Sequence, residues 1–265
     1  MPMDGLTLSF LARELQRTLV GGRIDKVAQP DNDAVVLSIR SQGENHKLLL
    51  CCNANRARVQ LTELPFENPA EPPMFCMLLR KHLSGAHITA IDQLFGDRIL
   101  RVEIDTLGEM NDRVRRTLYL ELMGRHSNLT LCDEAGRIID CVKHVNSEMS
   151  RVRTLLPGGT YQLPPAQDKL HGDALTAESL EARLRRSTAT LAKALIENVS
   201  GLATICAREV CARLGLAPDA KLYALDIAAT ARRLADLLAG LQKLAAPVLL
   251  AGGGVLLPKP VYHYR

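Results

Sequence analysis

The densest run of chemically versatile side chains in the 265-residue sequence is Glu121-Leu122-Met123-Gly124-Arg125-His126-Ser127-Asn128. A guanidinium offers paired N–H donors to a phosphate or a base edge, and an imidazole carries a charge that titrates near neutral pH. The run lies where one apolar strand ends and the next begins, and strand-end loops commonly hold sites. The same residues also suit a plain hairpin in which Gly124 and Asn128 only turn the chain. A second pair, Asp97-Arg98, follows Phe95-Gly96 and sets opposite charges before an apolar strand. Adjacent strand residues face opposite sides, so one could meet a ligand while the other supports it, or both could be solvated turn residues. A third motif is Val199-Ser200-Gly201-Leu202, between helical stretches at 190–197 and 204–214. A helix-hairpin-helix turn there would aim backbone N–H groups at a phosphate through Ser200 and Gly201; an ordinary antiparallel helix pair closed by a glycine is the alternative.

Other chemistries lose their signatures. There is no GxxxxGK[ST], no GxGxxG after a strand, no HExxH and no GxSxG, so the usual marks of nucleotide hydrolysis, Rossmann redox chemistry, zincin proteolysis and α/β-hydrolase action are missing. No catalytic constellation, cofactor or metal site is expected. Seven cysteines, an odd number without CxxC spacing, read as buried thiols in a reducing compartment rather than as a disulfide framework or zinc site. Removal of Met1 would expose the secondary amine of Pro2, able to form a Schiff base as a DNA glycosylase does. Position 3 is Met rather than an acidic residue, and no zinc-finger cysteines follow, so two partners of that reaction are missing. Arg56, Arg58, Arg80, Lys81, Arg115, Arg116, Arg151 and Arg153 read mostly as surface charges, and Met74, Phe75, Met77, Leu78 and Leu79 as a core-facing helix stripe.

The elements that must position these residues follow from periodicity. Leu6, Leu8, Leu11, Leu15 and Leu19 predict a helix stopped by Gly21-Gly22. Residues 23–27, 35–40 and 47–52 read as strands of a meander; prolines break the chain within 64–73, and helical spacing returns over 74–83. Strands then follow at 88–95, 99–105, 116–123, 128–132 and 138–142. The expected architecture is α+β, with an antiparallel sheet folded into a β-sandwich or open barrel over residues 1–172. An all-α module occupies 173–246, and its helical stretch 175–245 carries ten Lys/Arg against seven Asp/Glu. Apolar triplets at 248–250 and 255–257 flank Gly252-Gly253-Gly254, a hairpin over 247–265 that would return to the sheet and make the helical module an insertion. The ending after Pro258 and Pro260 has no closing cap, which points to a piece of a longer chain.

Hydrophobic residues at 47% and charged residues at 23% exclude a disordered chain. Aromatics at 3% with no Trp argue against a base-stacking surface, and the net charge of +4 is compatible with a polyanionic partner without identifying one. No run of 18 apolar residues and no signal-like start occur, so the expected setting is cytoplasmic, without a membrane.

Several strings together resemble one family: Asp4-Gly5, Glu14-Leu15, the stretch 23–30, Phe75-Cys76-Met77-Leu78-Leu79-Arg80-Lys81-His82-Leu83, Asp97-Arg98, Glu121 through Asn128, and Leu156-Pro157-Gly158-Gly159-Thr160-Tyr161. They are similar to the N-terminal region of the NFACT family, which includes bacterial proteins labelled fibronectin-binding protein A and ribosome quality control factors. The resemblance implies a β domain shaped like the N-terminal domain of formamidopyrimidine-DNA glycosylases, without their chemistry, and a helix-hairpin-helix module. It implies binding to large ribosomal subunits obstructed by peptidyl-tRNA, and recruitment of alanyl-tRNA for template-independent alanine tailing. It further implies tRNA recognition by Asp97, Arg98, Glu121, Met123, Gly124, Arg125, His126, Ser127 and Asn128. A fibronectin-binding adhesin and the Pro2 glycosylase are the competing functions.

Overall fold

The structure, a computed structural model, describes residues 3–108, 110, 112–243, 248–251 and 255–258. The proposed nucleophile Pro2 lies outside the described residues.

Helix α1 (Gly5–Leu19) forms because Leu8, Leu11, Leu15 and Leu19 recur on one buried face, and the Asp4 carboxylate caps it by accepting from the Thr7 N–H at 2.8 Å. Four strands follow as a meander: β1 (Arg23–Asp31), β2 (Ala34–Ser41), β3 (Glu44–Cys51) and β4 (Arg58–Leu61). The last was not expected, because four residues behind a polar loop are too short to display alternation. Helix α2 (Met74–Leu83) buries Phe75, Cys76, Leu79 and Leu83 but leaves Met74 and Met77 exposed, so the expected methionine stripe faces solvent at two positions. The second meander comprises β5 (His87–Gln93), β6 (Ile99–Leu107), β7 (Arg113–Glu121), β8 (Asn128–Cys132) and β9 (Ile138–Cys141).

All nine strands form one antiparallel sheet in the order β4-β3-β2-β1-β5-β6-β7-β8-β9. The seam between the meanders is short, with Arg23 opposite His87 and flanking bonds such as Ile24 N–H to the Ala86 carbonyl at 2.8 Å. Residues from both meanders share one core with α1 and α2, including Leu37 and Leu48 on one side and Leu100, Leu118 and Leu129 on the other. The sheet therefore curls about its two helices, and loops far apart in strand order become neighbours.

The helical module contains α3 (Ala177–Arg186), α4 (Leu191–Asn198), α5 (Thr204–Arg213) and α6 (Ile227–Lys243), packed about a second core of Leu180, Leu184, Leu191, Leu195, Val210 and Leu234 among others. Leu6 of α1 packs against that core too. Strands β10 (Val248–Ala251) and β11 (Val255–Pro258) pair with each other as a two-stranded sheet of their own, not as an extension of the large sheet. Among the described residues no helix is long and apolar enough to cross a membrane.

The seven cysteines are free, and six are buried. Burial pushes the Cys52, Cys132 and Cys141 thiols from 9.0 up to about 12. A raised folded-state value means that each thiol contributes stability that is complete below pH 9 and is lost as the pH climbs toward about 12. The loss is about 1.4 kcal/mol per thiol per pH unit. The thermal midpoint is thus expected to hold from about pH 7 to about pH 8.5 and to fall steeply above about pH 9. Melting curves followed by circular dichroism check this, and Cys→Ala variants should flatten the decline.

Candidate functional site

Between β5 and β6 the chain reverses through Leu94-Phe95-Gly96-Asp97, closed by the Asp97 N–H to the Leu94 carbonyl at 2.9 Å. Phe95 and Gly96 have φ of 54° and 64°, the pattern of a type I′ hairpin turn. Gly96 suits this backbone; Phe95 does not, and its half-exposed ring meets His171 edge to face at 6.1 Å. The Gln93 amide then clamps the turn, donating to the Gly5 carbonyl at 2.6 Å and to the Asp97 carbonyl at 2.8 Å.

This clamp places Asp97 and Arg98 on the wall of a cleft of about 290 Å³ between the two modules. The cleft is also lined by Asp4 and Gly5 of α1, by Gln167 and Lys169, and by the hairpin from Ser200 to Thr204. Both side chains of the pair are half-buried there, and Arg98 Nε stands 4.0 Å from Asp97 Oδ1. One carboxylate oxygen is satisfied by the Arg98 N–H at 2.7 Å, and the other is 3.5 Å from the Gln167 amide. The site thus juxtaposes an oriented anion acceptor, a guanidinium and a lysine, the donor and acceptor set that reads base edges and phosphates. Gln93, Gln167 and Lys169 carry no motif, and only the fold brings them here.

Ser200 and Gly201 sit where three glycines meet. The Gly201 carbonyl accepts from the Leu6 N–H at 3.0 Å, and the Ser200 hydroxyl donates to the Phe95 carbonyl at 3.0 Å. A Cβ on Gly201, at φ +84°, would stand 3.0 Å from the Gly96 carbonyl oxygen. The hairpin therefore seats the helical module on the turn that carries Asp97 while bordering the cleft itself.

The run Glu121 through Asn128 divides into two sets. Leu122 N–H bonds the Arg98 carbonyl at 2.8 Å, which fixes the run beside the Asp97 turn at one end of the sheet. Glu121 is fully buried and gripped by both terminal nitrogens of Arg153, Nη1 at 2.8 Å, and by the Tyr161 hydroxyl at 2.7 Å. Arg153, expected at the surface, is instead the buried counter-ion of this carboxylate, with 12% of its side chain exposed. Burial alone would lower its pKa, but the Glu121 hydrogen bond and charge raise it; burial and the same carboxylate push Tyr161 upward. Asn128 is also interior: its amide donates to the Lys143 carbonyl at 2.8 Å and accepts from the Leu129 and Lys143 N–H groups at 2.9 Å. Ser127 is buried with no hydrogen-bond partner for its hydroxyl among the described residues. Arg125 and His126, on the 3₁₀ turn Gly124–His126, are exposed, with Arg125 Nε donating to His126 Nε2 at 3.0 Å; Met123 and Gly124 are half-buried beside them.

Asp140, Cys141 and His144 bring their potential metal-ligand atoms within 4.8 Å of one another. The Cys141 thiol, held protonated by burial, donates to the Lys143 and Leu155 carbonyls at 3.2 and 3.5 Å, while Asp140 and His144 pair at 2.7 Å. These groups are already engaged with one another and with the backbone.

Residues 4–252 match the family model described as NFACT N-terminal and middle domains. The chain belongs to the NFACT family. The relatives it resembles include the "Rqc2 homolog RqcH" of Bacillus subtilis (strain 168), 42% identical over 218 residues, and that of Streptococcus pneumoniae D39, 40% identical over 211. These alignments take in 82% and 79% of this chain but 38% of each relative, so the chain spans under two fifths of the length of the curated NFACT proteins it matches. Among solved structures, the N-terminal part of the fibronectin/fibrinogen-binding protein of Streptococcus suis superposes with a TM-score of 0.81 at 36% identity, covering 98% of this chain and 94% of that one. The N-terminal domain of the fibronectin-binding protein PavA from Streptococcus pneumoniae gives 0.74 at 39% identity, over 80% and 79%. The α+β fold of this chain, with its nine-stranded antiparallel sheet, is similar in overall structure to these N-terminal regions.

Proposed function

We propose that this NFACT chain is the tRNA-holding part of a cytoplasmic ribosome quality control factor. In the full-length protein it would engage large ribosomal subunits obstructed by peptidyl-tRNA and recruit alanyl-tRNA for template-independent alanine tailing. The chain acts by positioning RNA, without a hydrolytic site. The observation that carries this reading is the convergence of Asp97, Arg98 and Lys169 in one cleft, with the Arg98 backbone bonded to Leu122 at the start of the segment that exposes Arg125 and His126. The names of the RqcH relatives support it.

The physical logic is polar recognition. Asp97 accepts from an exocyclic amino group and Arg98 grips a base edge or a phosphate, which requires no aromatic platform. The β domain plays the part of a glycosylase-like N-terminal domain without its chemistry. The turn between α4 and α5 serves as the helix-hairpin-helix element at Ser200 and Gly201; the Ser200 N–H donates to the Leu170 carbonyl at 2.9 Å, so the backbone contact to a phosphate falls to Gly201. Within the run from Glu121 to Asn128, the exposed Arg125 and His126 touch RNA, Met123 and Gly124 shape the turn, and Glu121, Ser127 and Asn128 support it from below.

Fluorescence anisotropy of labelled alanine-accepting tRNA tests the reading. The Asp97→Ala/Arg98→Ala variant is expected to bind about 5- to 150-fold more weakly, the equivalent of losing roughly 1–3 kcal/mol of base contact. Unchanged affinity in a folded double variant would remove recognition from this cleft. The similarity to fibronectin-binding proteins favours a second reading, adhesion. Saturable binding to immobilised fibronectin by a chain that ignores tRNA would select it.

A further inference from the structure

The curl of the sheet places the β3–β4 loop, Asn53-Ala54-Asn55-Arg56, against the Gly124–His126 turn. A Cβ on Gly124 would lie 4.0 Å from the Ala54 carbonyl oxygen. Lys143 stitches the two together: its backbone is held by Asn128, its ammonium donates to the Cys52 carbonyl at 2.6 Å, and it stands 3.8 Å from Asp33. The loop is itself preorganised. Asn53 donates to Asp33 at 3.1 Å and accepts from the Asn55 N–H at 3.1 Å, and the Arg56 N–H bonds the Asn53 carbonyl at 3.2 Å. Arg58 reaches back to the Arg56 carbonyl at 3.2 Å.

We propose that these two loops form one composite surface for an RNA phosphodiester backbone, with Arg56 and Asn55 completing the exposed pair Arg125 and His126. The inference rests on the tRNA reading and deepens it by adding a second contact strip, drawn from the other meander. Asn55, Arg56, Arg125 and His126 are all exposed. The nearby carboxylates are engaged: Asp33 with Lys143 and Asn53, Glu121 with Arg153, Asp140 with His144. Asp31 stands 3.6 Å from Arg56 across solvent, with both side chains more than half exposed, a pair too screened to hold the guanidinium from a phosphate. Guanidinium, amide and imidazole donors without an exposed apolar centre suit a sugar-phosphate chain rather than a protein surface, whose interface core is apolar.

A phosphate contact has a signature that a base contact lacks. Each neutralised phosphate adds about 0.7 to 0.9 to the slope of log affinity against log salt. Arg56→Gln should lower that slope by roughly this amount and weaken tRNA binding about threefold at low salt, to a similar degree for alanine-accepting tRNA and a mixed tRNA pool. Arg56→Lys should restore the slope. Wild-type, Arg56→Gln, Arg56→Lys and Arg125→Gln proteins are titrated with labelled tRNA from about 50 to about 200 mM salt. An unchanged slope in Arg56→Gln, while wild type binds and Arg125→Gln is weakened, overturns the composite surface and leaves the tRNA reading intact. Absence of tRNA binding by wild type overturns both. Polyglutamate binding as tight as tRNA and lost in Arg56→Gln would reassign the surface to acidic polypeptides.

Discussion

Replacing Arg153 with Met is expected to destabilise the chain by about 3–5 kcal/mol, the cost of leaving a buried carboxylate without its counter-ion. Glu121 has no exposure, and without Arg153 its remaining side-chain partner is the Tyr161 hydroxyl. The loss is large because the carboxylate cannot reach water without breaking the β7–β8 pairing, in which Glu121 lies opposite Asn128. Urea unfolding of wild type, Arg153→Met and Arg153→Met/Glu121→Gln measures it. The double variant should recover much of the loss, since an amide tolerates burial with the Tyr161 bond. A cost below about 1 kcal/mol for Arg153→Met would mean that the pair behaves as a solvent-exposed one. The consequence reaches the candidate site: the pair anchors the 143–162 segment to the strand end that presents Arg125 and His126, so tRNA affinity should fall in the single variant and return in the double.

Gly5→Ala should destabilise by about 1–3 kcal/mol although alanine is the better helix former. The added Cβ would overlap the Gly96 carbonyl oxygen and lie 2.5 Å from Gly201 Cα, and both are backbone, which no rotamer change can move aside. The strain is relieved only by moving the start of α1 away from both the β5–β6 turn and the Ser200-Gly201 hairpin. Because the Asp97 cleft is walled from both modules, that movement widens it. Limited proteolysis should show faster cleavage within 162–170, and tRNA binding should weaken in parallel. Gly240→Ala is the control: it lies in α6 with open space around the new methyl group, and it should stabilise by roughly 0.5–1 kcal/mol. Equal effects of the two substitutions would refute a glycine junction.

The sequence by itself determined the elements. Leucine spacing, strand alternation and the glycine and proline breaks located α1, α2 and eight of the nine strands of the large sheet, because core burial imposes those periods on any chain that forms them. It also drew attention to Asp97-Arg98 and to the Glu121 to Asn128 run, whose residue types suit a plain turn as well, so that the resemblance to the NFACT family was what singled them out. Tertiary structure decided where each of these residues lies and what it touches. Whether Glu121 meets solvent or Arg153 depends on a partner 32 positions away, and no periodicity encodes such a separation. The seating of Ser200 and Gly201 on Gly5 and Leu6 comes from the packing of the helical module on α1, and the meeting of Ala54 with the Gly124 turn arises from the curl of the sheet about α1 and α2. Curl is the summed twist of many strand pairs and the packing of one shared core, a property of the whole chain that no local stretch carries.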